Sequence, residues 1–106
     1  MAFGINRKEL ENWKQQVANG EISFLTHFWI HPHFPECKTV TKVGCADIAK
    51  LKDWVITHGL NPRYIHCRDR YPHFDLIGPK QTEILMKEGL WDHLERFGLH
   101  TNLPHV

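Results

Sequence analysis

A chain of 106 residues is long enough for one modest hydrophobic core and too short for two; its 42% hydrophobic and 24% charged residues exclude wholesale disorder. Lys and Arg number 13 against 12 Asp and Glu, a formal charge of +1, which excludes the global basic field of a nonspecific DNA binder. No apolar run approaches the roughly 18 residues of a membrane span and the N-terminus does not read as a secretory signal, so no membrane partner is expected.

Three cysteines, Cys37, Cys45 and Cys67, form no CxxC pair, and an odd count argues against a disulfide scaffold and for a reducing cytoplasm. Nine histidines make the charge of the chain sensitive to pH between about 5 and 8. They also make a divalent metal such as zinc worth testing as a cofactor.

Residues 5–20 carry a complete helix signal. Asn6 is the N-cap and Glu9 the third residue of a capping box, with Ile5 and Leu10 at the spacing of a hydrophobic staple. Leu10, Trp13 and Val17 form an apolar stripe that predicts packing on a sheet, and Gly20 takes the C′ position. Residues 21–31 predict the strongest strand. Ile22, Phe24, Thr26, Phe28 and Ile30 fall on one face, and Ser23, Leu25, His27, Trp29 and His31 on the other. That is the pattern of a strand covered on both sides, and it makes His27 a hydrogen-bonded core residue before it makes it a ligand.

Pro32 and Pro35 make residues 31–37 a loop. Residues 39–43 predict a short β-branched strand ending at Gly44. Asp47 then caps a helix whose inward face is Ile48, Leu51, Trp54 and Val55, closed by Gly59 and an Asn61-Pro62 turn. Residues 63–67 predict a further strand, and a strand, a helix and a strand in that order predict a right-handed parallel crossover. Pro79 at the first position and Gln81 at the third open another helix, with Gly89 at its C′ position. Leu90, Trp91, Leu94 and Phe97 share one face of a last short helix that stops at Gly98. Residues 99–106 lack periodicity and read as a loose tail. The expected fold is therefore a single α/β domain over residues 1–98, a mixed three- or four-stranded sheet flanked by about four helices.

Polar chemistry concentrates in residues 63–78. His73 and Asp75 are two apart, so an extended backbone points both side chains the same way and Phe74 the other. A histidine beside a carboxylate serves as a general base with its orienting partner, or as two metal ligands. Both lie just before a helix start, where backbone N–H groups favour anions, and Lys80 adds a positive charge there. The plain alternative gives Asp75 local turn hydrogen bonds and leaves His73 exposed.

A second pattern is anion recognition: Arg63, Arg68, Arg70 and Lys80 are interleaved with Tyr64, Tyr71 and Phe74. Guanidinium forks suit phosphate oxygens and aromatic rings stack on bases. Against it, Arg68-Asp69-Arg70 also reads as a solvated turn with local ion pairs. A metal site would gather His27, His73 and Asp75 from separate elements. His27 and His31 alone do not suffice, because four residues along a strand span about 13 Å. Cys45, near a helix start, and Cys67 read as small core residues.

These residues carry a resemblance. The chain is similar to small uncharacterised proteins of bacilli. More distantly it resembles a bacterial and phage domain family of unknown function with a His-Tyr-Asp-Leu motif. The matching positions are His73-Phe74-Asp75-Leu76, with Leu51, Gly59, Arg63 and Tyr64 before them and Lys80 and Gly89 after, within residues 24–90. Lys42 and Lys52 stand where that family carries histidines, and His27 stands near the position of an acid in its opening strand. Lysine rarely replaces a metal-ligand histidine but replaces one that contacts an anion. The resemblance implies a site location and a phosphate-bearing ligand, and no reaction.

The expected function is binding of a phosphate-containing small molecule or nucleotide around His73 and Asp75, with Lys42, His66, Arg68, Arg70 and Lys80 as ligand-binding residues. Hydrolysis would use His73 as base. The alternatives are a nucleic-acid or protein interaction module on the Arg68–Tyr71 turn, and a metal-dependent hydrolase using His27, His73 and Asp75.

Overall fold

The structure, a computed structural model, describes residues 4–29, 33, 35–68 and 70–99. The described residues form four helices, α1 (Arg7–Ala18), α2 (Ile48–Thr57), α3 (Gly78–Lys87) and α4 (Trp91–Arg96), with one 3-10 turn, Pro62–Tyr64. The strands β1 (Ser23–Phe28), β2 (Thr39–Gly44) and β3 (His73–Leu76) form an antiparallel sheet in the order β1-β2-β3. The α/β class, the strand number and the helix number agree with the sequence. Among the described residues no helix is long and apolar enough to cross a membrane.

The third strand is not at residues 63–67, where the sequence puts it. At residues 62–64 the Asn61 side chain accepts a hydrogen bond from the Arg63 N–H at 2.9 Å, and Pro62 supplies a fixed φ, so the backbone tightens into a 3-10 turn. Beyond it a single antiparallel bridge joins His66 to His73. The parallel crossover into residues 63–67 is therefore not formed; β3 comes later and runs antiparallel. Cys67 is exposed rather than in the core, whereas Cys45 is buried; all three cysteines are free thiols. Leu99 is buried. The expected strand end at residues 30–31, positions 32 and 34 of the loop, Asp69 and residues 100–106 lie outside the described residues.

Internal packing divides the chain into two units. The first comprises Ile5–Leu25 and Lys42–Asp75. Asn6 and Glu9 form the expected reciprocal cap of α1, Asn6 Oδ1 accepting from the Glu9 N–H at 2.8 Å. The α1 stripe then delivers Trp13 and Val17 onto Leu25, with Ile5, Leu10 and Tyr71 around them. Gly44 makes this approach feasible, because a Cβ there would come within 2.6 Å of both the Trp13 ring and a Val17 methyl. Trp13 Nε1 donates to the Ser23 carbonyl at 3.1 Å, so the buried indole keeps its polar handle satisfied. Asp47 caps α2, accepting from the Lys50 N–H. Its inward residues Leu51 and Val55 are fully buried, each stabilising the fold by about 1.5–3 kcal/mol.

The second unit comprises Met1–Gly4, Thr26–Thr41 and Leu76–Val106. Its interior holds a chain of polar groups. His93 Nδ1 lies 2.8 Å from Thr26 Oγ1, which lies 2.7 Å from Thr41 Oγ1. Thr41 accepts from Gln81 Nε2 at 3.0 Å, and Gln81 Oε1 accepts from Thr39 at 3.1 Å. Phe28 and Phe97 meet edge to face at 4.9 Å. Beside them a cleft of ≈ 850 Å³ is lined by Phe28, Met86, Phe97 and Leu99 above Thr39 and Gln81.

Candidate functional site

Three of the residues singled out in the sequence come together in the first unit. His73 and Asp75 lie on β3, two residues apart and so on one face. The His66–His73 bridge adds the third. His66 N–H donates to the His73 carbonyl at 2.8 Å, and directly paired residues of an antiparallel bridge project their side chains to the same side. The two imidazoles stack with centroids 4.7 Å apart and planes 17° from parallel.

Asp75 sits between the nitrogens. His66 Nε2 is 3.3 Å from Asp75 Oδ2 and His73 Nε2 is 3.7 Å from Asp75 Oδ1. One ligating atom from each residue lies within 4.8 Å of the others. His73 Nδ1 is 2.8 Å from the Tyr71 carbonyl. A carbonyl only accepts, so Nδ1 carries the proton, and in the neutral ring Nε2 presents its lone pair toward Asp75. Exposure is graded across the cluster: the side chains of His73, Asp75 and His66 are 8%, 25% and 55% exposed. Solvent reaches the cluster from the His66 side.

Cations border it. Lys14 Nζ lies 5.5 Å and Arg70 Cζ 5.8 Å from the centre of the Tyr71 ring, whose carbonyl holds His73. Trp13 links the two rings, 6.1 Å from Tyr71 and 6.4 Å from His73. Lys42 is half-buried on β2. Cys45 N–H donates to the Pro72 carbonyl at 3.0 Å, joining the end of β2 to the approach of β3, and a regular antiparallel register continued from that bond would set Lys42 opposite Asp75.

The other expected residues each have their own surroundings. Arg68 is exposed in the turn. Lys80 lies on α3 in the second unit and pairs with Glu83 at 3.5 Å. His27 belongs to the part of β1 in that unit, its Nδ1 donating to the Phe28 carbonyl at 2.9 Å. The residues whose donor atoms lie within 4.8 Å of one another are thus His73, Asp75 and His66, the last assigned by the sequence to ligand binding. Trp13 and Lys14 are not singled out by the sequence as site residues, and Tyr71 enters only as an aromatic of the Arg68–Tyr71 turn. Tyr71 had a signal, being the aromatic that follows Arg70; Lys14 had none, since it looks like any lysine on a helix flank.

No family model matches the chain, so the distant resemblance through His73-Phe74-Asp75-Leu76 gains nothing from that comparison. No solved structure matches it. The chain is 57% identical over 99 residues to "Uncharacterized protein YneQ" of Bacillus subtilis (strain 168), an alignment that covers 93% of this chain and 100% of that protein. Identity at that level over nearly the whole length means that the chain belongs to the YneQ family.

Proposed function

We propose that the chain binds a phosphate-bearing small molecule, of nucleotide or phosphate-ester class, at the His66–His73–Asp75 cluster. The observation that carries this reading is the placement of Lys14 and Arg70 about the Tyr71 ring, with the Tyr71 carbonyl holding His73. Two cations are tied through one residue to an imidazole that shares a carboxylate with a second imidazole. Arginine presents a fork that matches phosphate oxygens, and lysine supplies a point charge. Lys42, opposite Asp75 in a regular register, adds a third cation. His66 is the imidazole a ligand meets first, and His73 is the oriented one behind it. A hydrolytic step would draw on these two rings as proton carriers.

The test is calorimetric titration with inorganic phosphate, a nucleoside monophosphate and a nucleoside triphosphate at low and physiological salt. Saturable binding that weakens about tenfold or more in Arg70→Ala and in Lys14→Ala, with folding intact, is the expected result. Equal binding by wild type and both variants would sink the reading.

A second reading has its own observation. Tyr64 is 67% exposed, and Arg63, Arg68 and Arg70 are exposed nearby in sequence. An exposed aromatic with three arginines is the composition of a single-strand nucleic-acid surface. Oligonucleotide binding that falls steeply with salt and is lost in Tyr64→Ala would favour it.

A further inference from the structure

We infer that His66, His73 and Asp75 hold a divalent first-row transition metal of the zinc class. The inference deepens the proposed function, because it rests on the same cluster and supplies what a phosphate ligand needs there. An anion cannot approach Asp75 favourably unless a cation lies between them.

Four observations converge. The donor set, two imidazole nitrogens and one carboxylate, is that of zinc and its neighbours, whereas calcium and magnesium take oxygen ligands. The distances come near: bonds of about 2.0–2.1 Å to a tetrahedral ion place neighbouring ligand atoms about 3.3–3.4 Å apart, and one donor atom from each residue lies within 4.8 Å of the others, so an ion would draw the set inward. His66 Nε2 and Asp75 Oδ2 are already 3.3 Å apart, and His73 Nε2 and Asp75 Oδ1 are 3.7 Å apart. Third, Asp75 Oδ1 is buried and finds no hydrogen-bond donor among the described residues. A buried carboxylate oxygen without a donor costs free energy that a coordinated cation removes.

The fourth observation is the setting of His73. Its Nδ1–H is committed to the Tyr71 carbonyl, which fixes the tautomer and aims Nε2, the arrangement that metal-ligating histidines show. Three protein ligands with a solvent-facing side at His66 leave coordination positions open for an exogenous oxygen. A phosphate oxygen is the ligand the neighbouring Lys14 and Arg70 favour.

The experiment uses the full untagged chain, stripped with chelator and titrated with zinc against a chromophoric competitor, and with cobalt by its visible absorption. No phosphate is present, so the outcome is independent of the proposed ligand. One site per chain is expected, with a cobalt spectrum of tetrahedral or five-coordinate type. His66→Ala and Asp75→Asn should each weaken that site by a hundredfold or more, beyond the ~10–100-fold that a lost outer-shell partner costs. Both variants keep the buried His73 and should fold, as circular dichroism will show. A wild-type chain that binds zinc no more tightly than His66→Ala and Asp75→Asn overturns the metal site. Phosphate is added only afterwards, as a separate titration of the metal-loaded and the stripped chain. A one-to-one metal site with no phosphate binding sustains the metal and removes the ligand.

Discussion

Trp13 lies flat enough against Gly44 that the missing side chain is part of the packing: a Cβ at Gly44 would come within 2.6 Å of the indole. The contact joins α1 to β2, and through the indole edge it reaches His73, 6.4 Å from the Trp13 ring. Gly44→Ala should therefore destabilise the chain by about 1–3 kcal/mol, the usual cost of overpacking. It should also shift the His73 ring resonances. Urea unfolding followed by tryptophan fluorescence measures the first effect and NMR the second. Unchanged stability would mean that the helix slides away from the sheet at little cost.

Thr41 accepts from Gln81 Nε2 at 3.0 Å and shares a hydrogen with Thr26 at 2.7 Å, all in a buried setting. Valine has nearly the same shape and neither function. Thr41→Val should cost about 1–3 kcal/mol, because it strands a buried amide donor. Replacing the donor as well, in Thr41→Val/Gln81→Leu, should cost less than the sum of the single changes. A double-mutant cycle in urea reads that coupling.

Glu83 is the group with a pH signature. A hydrogen bond from Lys87 first, and then the charges of Lys80 and Lys87, hold its carboxyl below the ordinary value of 4.5. A carboxyl whose folded value is depressed contributes stability above its unfolded value and loses it as pH falls through the folded one. Lys87→Ala should raise the Glu83 midpoint more than Lys80→Ala does, seen in a carboxyl carbon-13 titration. The group is fully solvated, so the thermal midpoint should hardly move.

Thiol labelling should separate the cysteines. Cys67 is exposed, Cys37 partly covered and Cys45 buried. One thiol should react with an aromatic disulfide reagent at the rate of a free peptide, a second more slowly, and Cys45 only on unfolding. Fast labelling of Cys45 would contradict its burial.

What the sequence disclosed follows from which interactions are local. The Asn6–Glu9 cap, the Asp47 cap and the stops at Gly59 and Gly89 involve neighbours within a turn, and each is legible from spacing. The pairing of His73 with Asp75 is local too. His66 joins them only because a non-local bridge folds residues 65–67 back onto β3. A short stretch such as Tyr64-Ile65 between a turn and a polar run says that backbone can extend, not that it finds a strand partner, which is why residues 63–67 read as a strand. Gly44 reads in the sequence only as the end of a strand, since a residue that packs by lacking a side chain offers no contact pattern. Tyr71 and Lys14 meet through the sheet and helix, not through any motif.

The His66 amide, bonded to the His73 carbonyl at 2.8 Å, closes the loop that brings the two imidazoles together. Opening that bridge would release the His66 backbone, leaving only its ring contacts to His73 and Asp75, which stay on their strand. The cluster is thus a clasp with one moving jaw, and its opening rate is carried by a single exchangeable proton. An occupant that ties the two rings together should slow deuterium uptake at residue 66 far more than at the buried amides of α2.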